Sequence, residues 1–430
     1  MPDKATAKRV FTKKMKEEYT LLVPDMLSFH FDLIAGVLSQ HGYNAEVLKT
    51  TGKEIAEEGL KSVHNDTCYP ALLVIGQFID ALKSGKYNTD KTALLISQTG
   101  GGCRASNYLP LLRKALEKNG FSHVPVLSIN FSGLEKDYSL KFTPKMAAKL
   151  LCAVLYGDFI MGIYNQCVPY EISEGESLAL VKHWNAELLS QMSGIGFLRL
   201  KRNYRRILED FAGIPLNKTD KIKVGIVGEI YLNYSPLGNN DLEKYLLGEG
   251  AEVINSGLLE FLMYCVNNKI HDKKLYGGAG FKTITAKLGM RYLSNRQREM
   301  INAIKRHGKF RAPSEFTQIM SMTKGYLDHG VKMGEGWLLT AEMIELVHLG
   351  VNNIIAAQPF GCLPNHIVAK GMMRKIKSSF PGANIVAVDY DPGASRINQE
   401  NRIKLMLANA KRQDKAANCQ EQSAATAKAG

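Results

Sequence analysis

The chain has 430 residues, 45% hydrophobic and 22% charged, with seven cysteines and a formal net charge of +14. That length suits two or three cored domains, and no stretch reads as the roughly 20-residue apolar run of a membrane span. The start, Met1 to Thr6, lacks the apolar core of a secretory signal. An odd number of thinly spread cysteines argues against a disulfide framework, so the cytoplasm is the expected compartment. Six basic residues fall between Lys4 and Lys16. A nucleic-acid partner is one reading of such an excess. General attraction for anionic ligands or an acidic partner is the other. No aromatic–basic nucleic-acid motif is present, so neither nucleic acid nor membrane is the expected partner.

In chain order, residues 1–16 read as a flexible basic arm. Tyr19 to Pro24 reads as a strand, Ser28 to His41 as a helix and Asn44 to Leu48 as a second strand. A helix from about Ala71 to Ser84 leads to the apolar strand Thr92 to Ser97, a glycine loop and a helix ending at Asn119. Val124 to Asn130 is the next strand. Strands alternating with helices at this spacing predict a parallel sheet covered on both faces. The pattern turns helical over residues 144–218, a segment expected to bridge two sheet domains. Alternation resumes with Lys223 to Ile230, where the Gly238 to Asp241 turn is expected to cap a helix. It continues through Ala251 to Ile254, Asn353 to Ala357 and Asn384 to Asp389. Residues 270–330 break it as a basic helical insertion or lid. The prediction is therefore an α/β chain with a first domain over 17–143 and a second over 219–411. A helix from Ser395 to Lys411 closes the second domain, and residues 412–430 read as a disordered tail. No repeat of 20 to 50 residues stands out, although both halves share the strand–helix design.

Three cysteines are placed alike. Cys68 follows Asn65-Asp66-Thr67 and precedes a helix, Cys103 follows Gly100-Gly101-Gly102 after a strand, and Cys362 sits in Gln358-Pro359-Phe360-Gly361-Cys362-Leu363-Pro364 after another strand. Each lies in a polar or glycine-rich loop where backbone can approach a ligand closely. Cys152 and Cys265 lie on apolar helical faces and Cys167 at a helix end, where packing is the ordinary role. Cys419 falls in the tail. Thiolates select zinc, copper or iron–sulfur, and the absence of a Cys-x-x-Cys knuckle argues against a zinc ribbon. An iron–sulfur cluster, or plain structural or redox thiols, both remain open on the residues alone. The glycine loop could instead cradle a phosphate at a helix N-terminus, though it is neither a P-loop nor a dinucleotide fingerprint. Arg104 adjoins a thiol whose negative charge it could stabilise. His366 could supply a proton or be an ordinary helix-start histidine. Glu229, after an apolar strand, is equally open. Asp389 and Asp391 read as turn and helix-cap chemistry.

Together, Asn65 to Pro70, Gln98 to Tyr108 and Gln358 to His366 resemble the 2-hydroxyacyl-CoA dehydratase family. The closest likeness is to the dehydratase-like portion of long proteins in which it follows activator-type ATPase modules. Val168-Pro169-Tyr170-Glu171 and Asp389-Tyr390-Asp391-Pro392-Gly393 also fit, and the likeness spans roughly residues 17–410. The resemblance implies two Rossmann-like domains with a [4Fe-4S] cluster in the cleft between them. It implies Cys68, Cys103 and Cys362 as the metal ligands, with Gly101, Gly102 and Gly361 shaping the cofactor loops. A double-cubane cluster would need more thiols than these three. On this reading Arg104, Glu229 and His366 are the catalytic candidates. A separate ATP-hydrolysing iron–sulfur activator supplies electrons, and a homodimer or a heterodimer with a related subunit is the expected assembly. The implied activity is reduction or dehydration of a small substrate at a cluster iron. The alternatives are an iron–sulfur electron-transfer or scaffold subunit without its own substrate, or a metal-free α/β protein that binds a phosphoryl ligand.

Overall fold

Among the described residues eight short strands carry the architecture, and their sequences explain why. Strand β3 (Thr92–Gln98) and strand β7 (Asn353–Pro359) are buried along almost their whole length, as expected of central parallel strands covered on both faces. A computed structural model describes residues 11–98, 102–130, 140, 142–277 and 280–429, the side chains of 130 and 414–429 excepted. The first sheet adds β1 (Thr20–Pro24), β2 (Asn44–Leu48) and β4 (Val126–Asn130) in the order β2-β1-β3-β4. The second adds β5 (Lys223–Gly228), β6 (Glu252–Asn255) and β8 (Asn384–Tyr390) in the order β6-β5-β7-β8. Every pairing among these strands is parallel. The predicted α/β class is therefore observed as two four-stranded parallel sheets. The two halves share one strand order although their sequences share no repeat.

The helix Pro144–Cys167 lies between the halves and is the hub of the larger core. Leu155, Tyr156, Phe159 and Ile160 are fully buried in it. Contrary to the sequence expectation, this helix is long and apolar enough to cross a membrane, with a mean hydropathy of 1.6. Most of that stretch is covered by the rest of the chain, 72% of it buried. It also carries Asp158, whose Oδ1 accepts from His30 Nε2 at 2.7 Å and from the Leu258 N–H at 2.7 Å, while Oδ2 accepts from the Leu259 N–H at 2.8 Å. One buried carboxylate thus caps the helix Leu258–Tyr276.

Several local features differ from the sequence reading. Phe11 stacks on Tyr43 with ring centroids 6.4 Å apart, and Lys16 lies over the same ring, so the end of the expected arm is anchored. The helix Leu242–Gly248 is capped from the predicted Gly238–Asp241 turn by Asn239, whose Oδ1 accepts from the Leu242 N–H at 3.1 Å, while Asp241 itself makes no capping bond. The inserted helix Gly280–His307 packs its later half into the core through Leu293, Met300 and Ile304. The last helix runs Arg396–Ala429, through the segment expected to be disordered.

Candidate metal centre

Cys68 is the N-cap of the helix Tyr69–Lys83, and Cys103 is the N-cap of the short 3-10 turn Arg104–Asn107. Cys362 immediately precedes the helical turn that begins at Leu363. Each sulfur takes up local hydrogen bonds. Cys68 Sγ lies 3.2 Å from the Tyr108 hydroxyl, Cys103 Sγ accepts from the Ala105 N–H at 3.5 Å, and Cys362 Sγ accepts from Asn365 Nδ2 at 3.2 Å.

The loops meet. The Tyr69 N–H donates to the Phe360 carbonyl at 3.0 Å, tying the Cys68 loop to the Cys362 loop. Gly361 has φ +72°, and a Cβ there would stand 3.1 Å from Cys68 Cα. Gly334 has φ +58°, and a Cβ there would stand 3.0 Å from Pro364 Cγ and 3.8 Å from Cys103 Sγ. Glycine at 361 thus lets the chain pass close to the Cys68 backbone, and glycine at 334 lets it pass close to Pro364 and the Cys103 sulfur. The Gly102 N–H points at Met333 Sδ, 3.2 Å away. Gly100 and Gly101 lie outside the described residues.

Two carboxyls face the same place. Glu229 is the N-cap of the short helix Ile230–Tyr234, and its Oε2 accepts from the Tyr231 and Leu232 N–H groups at 3.0 and 3.1 Å. Glu335 Oε1 accepts from the Ile230 N–H at 3.1 Å. Both approach one helix end, where backbone N–H groups are unsatisfied. Burial, followed by the charge of Glu335, pushes Glu229 up to about 8. Burial raises Glu335 as well. The thiols respond to the same surroundings. Burial, then Glu335 and Glu229, pushes Cys103 up to about 12 and raises Cys362 further. Burial raises Cys68, against the Tyr108 hydroxyl and Arg104.

Other sequence candidates take different positions. Arg104 and His366 are exposed; the backbone N–H of His366 reaches the Cys362 carbonyl at 3.3 Å, but the side chain that touches the sulfur is Asn365. Cys152 and Cys167 are buried in the larger core. Cys265 is half-buried, and burial with Glu335 pushes it up to about 12. Asp389 pairs with Lys370 and Arg402, and Asp391 accepts from the Gly393 N–H. Glu335, Asn365 and Tyr108 were missed by sequence reasoning. Only Glu335 carried a signal, as a carboxylate between two glycines ahead of a helix.

The donor set is soft and unpaired, since all six described cysteines are free thiols; Cys68 and Cys362 are buried and Cys103 is half-buried. Among the described residues no group of three or more His, Cys, Asp or Glu is arranged to hold a single metal ion. Burial and the neighbouring carboxyls disfavour bare thiolates at Cys103 and Cys362. No protein-family model matches the sequence, and no curated protein matches it.

Proposed function

We propose that the chain is the iron–sulfur component of an ATP-driven low-potential electron-transfer system, acting on a small substrate between two Rossmann-like domains. The observation that carries this reading is the meeting of the Cys68, Cys103 and Cys362 loops around Gly334 and Gly361. Cys68, Cys103 and Cys362 would hold a [4Fe-4S] cluster, which when bound supplies one-electron chemistry and a Lewis-acidic iron without a fourth thiolate. The protein's part is to tune and protect it. The Tyr108 hydroxyl and Asn365 Nδ2 bond two of the sulfurs. Glu229 and Glu335 hold a proton beside them, because two buried carboxyls held at one helix end resist ionising together. The exposed Phe360, Leu363, Ile367 and Met333 form an apolar rim beside the Cys362 loop. An acidic ATP-hydrolysing electron donor would dock over that rim, drawn by the chain's +14 charge.

Purification without oxygen, followed by iron and acid-labile sulfide analysis and EPR of the reduced protein, tests the reading. The expected result is about four irons and four sulfides per chain, lost in Cys68→Ser, Cys103→Ser and Cys362→Ser but kept in Cys152→Ser. Absence of iron and sulfide after reconstitution, or equal loss in all four variants, overturns it. A spectral change on adding 2-hydroxyacyl thioesters would separate an enzyme from a carrier subunit.

A further inference from the structure

A second cavity, of about 90 Å³, opens at the carboxyl end of β6. Its walls include Asp158, Glu260, Glu345, Asn255, Gln297 and Arg311. Most of these groups are already engaged. Asp158 accepts three hydrogen bonds. Glu345 Oε1 accepts from the Ser314 N–H at 3.1 Å. Gln297 Oε1 accepts from the Phe316 N–H at 2.9 Å. Arg311 is committed to Glu252 at 2.7 Å. Two atoms are not engaged. Glu260 Oε2 and Asn255 Oδ1 are buried without a hydrogen-bond partner, and Glu260 as a residue is only 5% exposed.

Asn255 Oδ1 is an acceptor, and so is Glu260 Oε2 when its carboxyl is ionised, so a ligand that donates hydrogen bonds and carries positive charge satisfies both. The surroundings also ask for positive charge. Burial, then Glu345, Glu342 and Asp158, pushes Glu260 well above the usual carboxylate range, and the cation on the cavity wall, Arg311, is committed to Glu252. The arrangement does not serve a bare metal ion, for want of any three ligands suitably placed among the described residues. The volume admits only a few heavy atoms, since a water's share of liquid is about 30 Å³.

We propose that this cavity binds a small primary-ammonium ligand, the ammonium ion or the aminomethyl end of a short amine, through Glu260 Oε2 and Asn255 Oδ1. An ammonium nitrogen offers several donors in different directions and carries the charge that the carboxylates lack. The site is separate from the thiols, and its test does not depend on how they are read.

Thermal unfolding and calorimetric titration of the full chain test it, with ammonium and methylammonium chloride as probes. Sodium and tetramethylammonium chloride at equal ionic strength are the controls, the latter having no N–H to donate. The expected result is a concentration-dependent Tm rise of a few degrees with the two donors only, following the linkage of binding to stability. Glu260→Gln should weaken binding at least tenfold. Asn255→Ala, at a half-buried strand end, should weaken it severalfold and serves if the first variant fails to fold. Equal shifts with all four salts, or an undiminished shift in either variant, overturn the assignment.

Discussion

The Tyr69 N–H and the Phe360 carbonyl, 3.0 Å apart, form a main-chain bond between residues 291 positions apart in sequence, each next to or near a thiol. It depends on Gly361, whose left-handed backbone turns the chain away from Cys68. Gly361→Ala should therefore cost about 1–3 kcal/mol, from the unfavourable φ and the crowding of Cys68 Cα. Urea unfolding would measure it. Gly382→Ala, at an ordinary φ with only a 3.9 Å neighbour, should cost much less.

Asp158 ties three segments together, so its loss should be among the larger single-site effects. Asp158→Ala leaves His30 and two helix-start N–H groups buried without their acceptor. The expected destabilisation is about 3–5 kcal/mol, read from the denaturation midpoint. Asp158→Asn, which keeps one acceptor oxygen, should cost less.

Glu342 predicts a pH dependence. Burial, with Glu345 beside it, pushes its carboxyl up from 4.5 to about 8. The folded chain therefore holds a proton that the unfolded chain has released between those values. Stability from this group is complete below about 4.5 and is lost as the pH rises through about 8. The loss should be on the order of a few kcal/mol. Glu342→Gln should flatten the decline and leave the variant more stable than wild type at pH 8. A variant curve parallel to that of the wild type would refute this assignment.

Tyr108 gives a prediction that rests on the proposed cluster. Its hydroxyl lies 3.2 Å from Cys68 Sγ, and hydrogen bonds to ligand sulfur favour the reduced, more negative state. Tyr108→Phe should lower the midpoint potential by on the order of 40 mV, the equivalent of about 1 kcal/mol for one electron. A redox titration followed by EPR would show it, with iron content unchanged.

Much of the fold was readable in the chain because central parallel strands need apolar residues on both faces. Ile354, Ile355, Ala356 and Ala357 announce β7 without any partner in view. The cysteine placement was readable for a similar reason, since loops at strand ends have a local signature of glycine and proline. Glu335 was harder. Its role comes from the Ile230 N–H, 105 positions away, and no local pattern encodes that distance. His366 drew attention through its chemistry, yet Asn365 reaches the sulfur, because the turn after Cys362 directs the earlier side chain inward. The hub helix was passed over as a membrane-length segment because Lys149 and Asp158 interrupt its apolar residues. Both are buried in the folded chain.

The shared strand order of the two sheets has a consequence for chemistry. Were two identical half-length chains to pair about a two-fold axis, every group on one side would recur on the other. Joining the halves in one polypeptide lifts that restriction. On the proposed reading, one half is free to offer Cys68 and Cys103 while the other offers Cys362 with two carboxyls, Glu229 and Glu335, so the two sides can present unlike groups to one reactant.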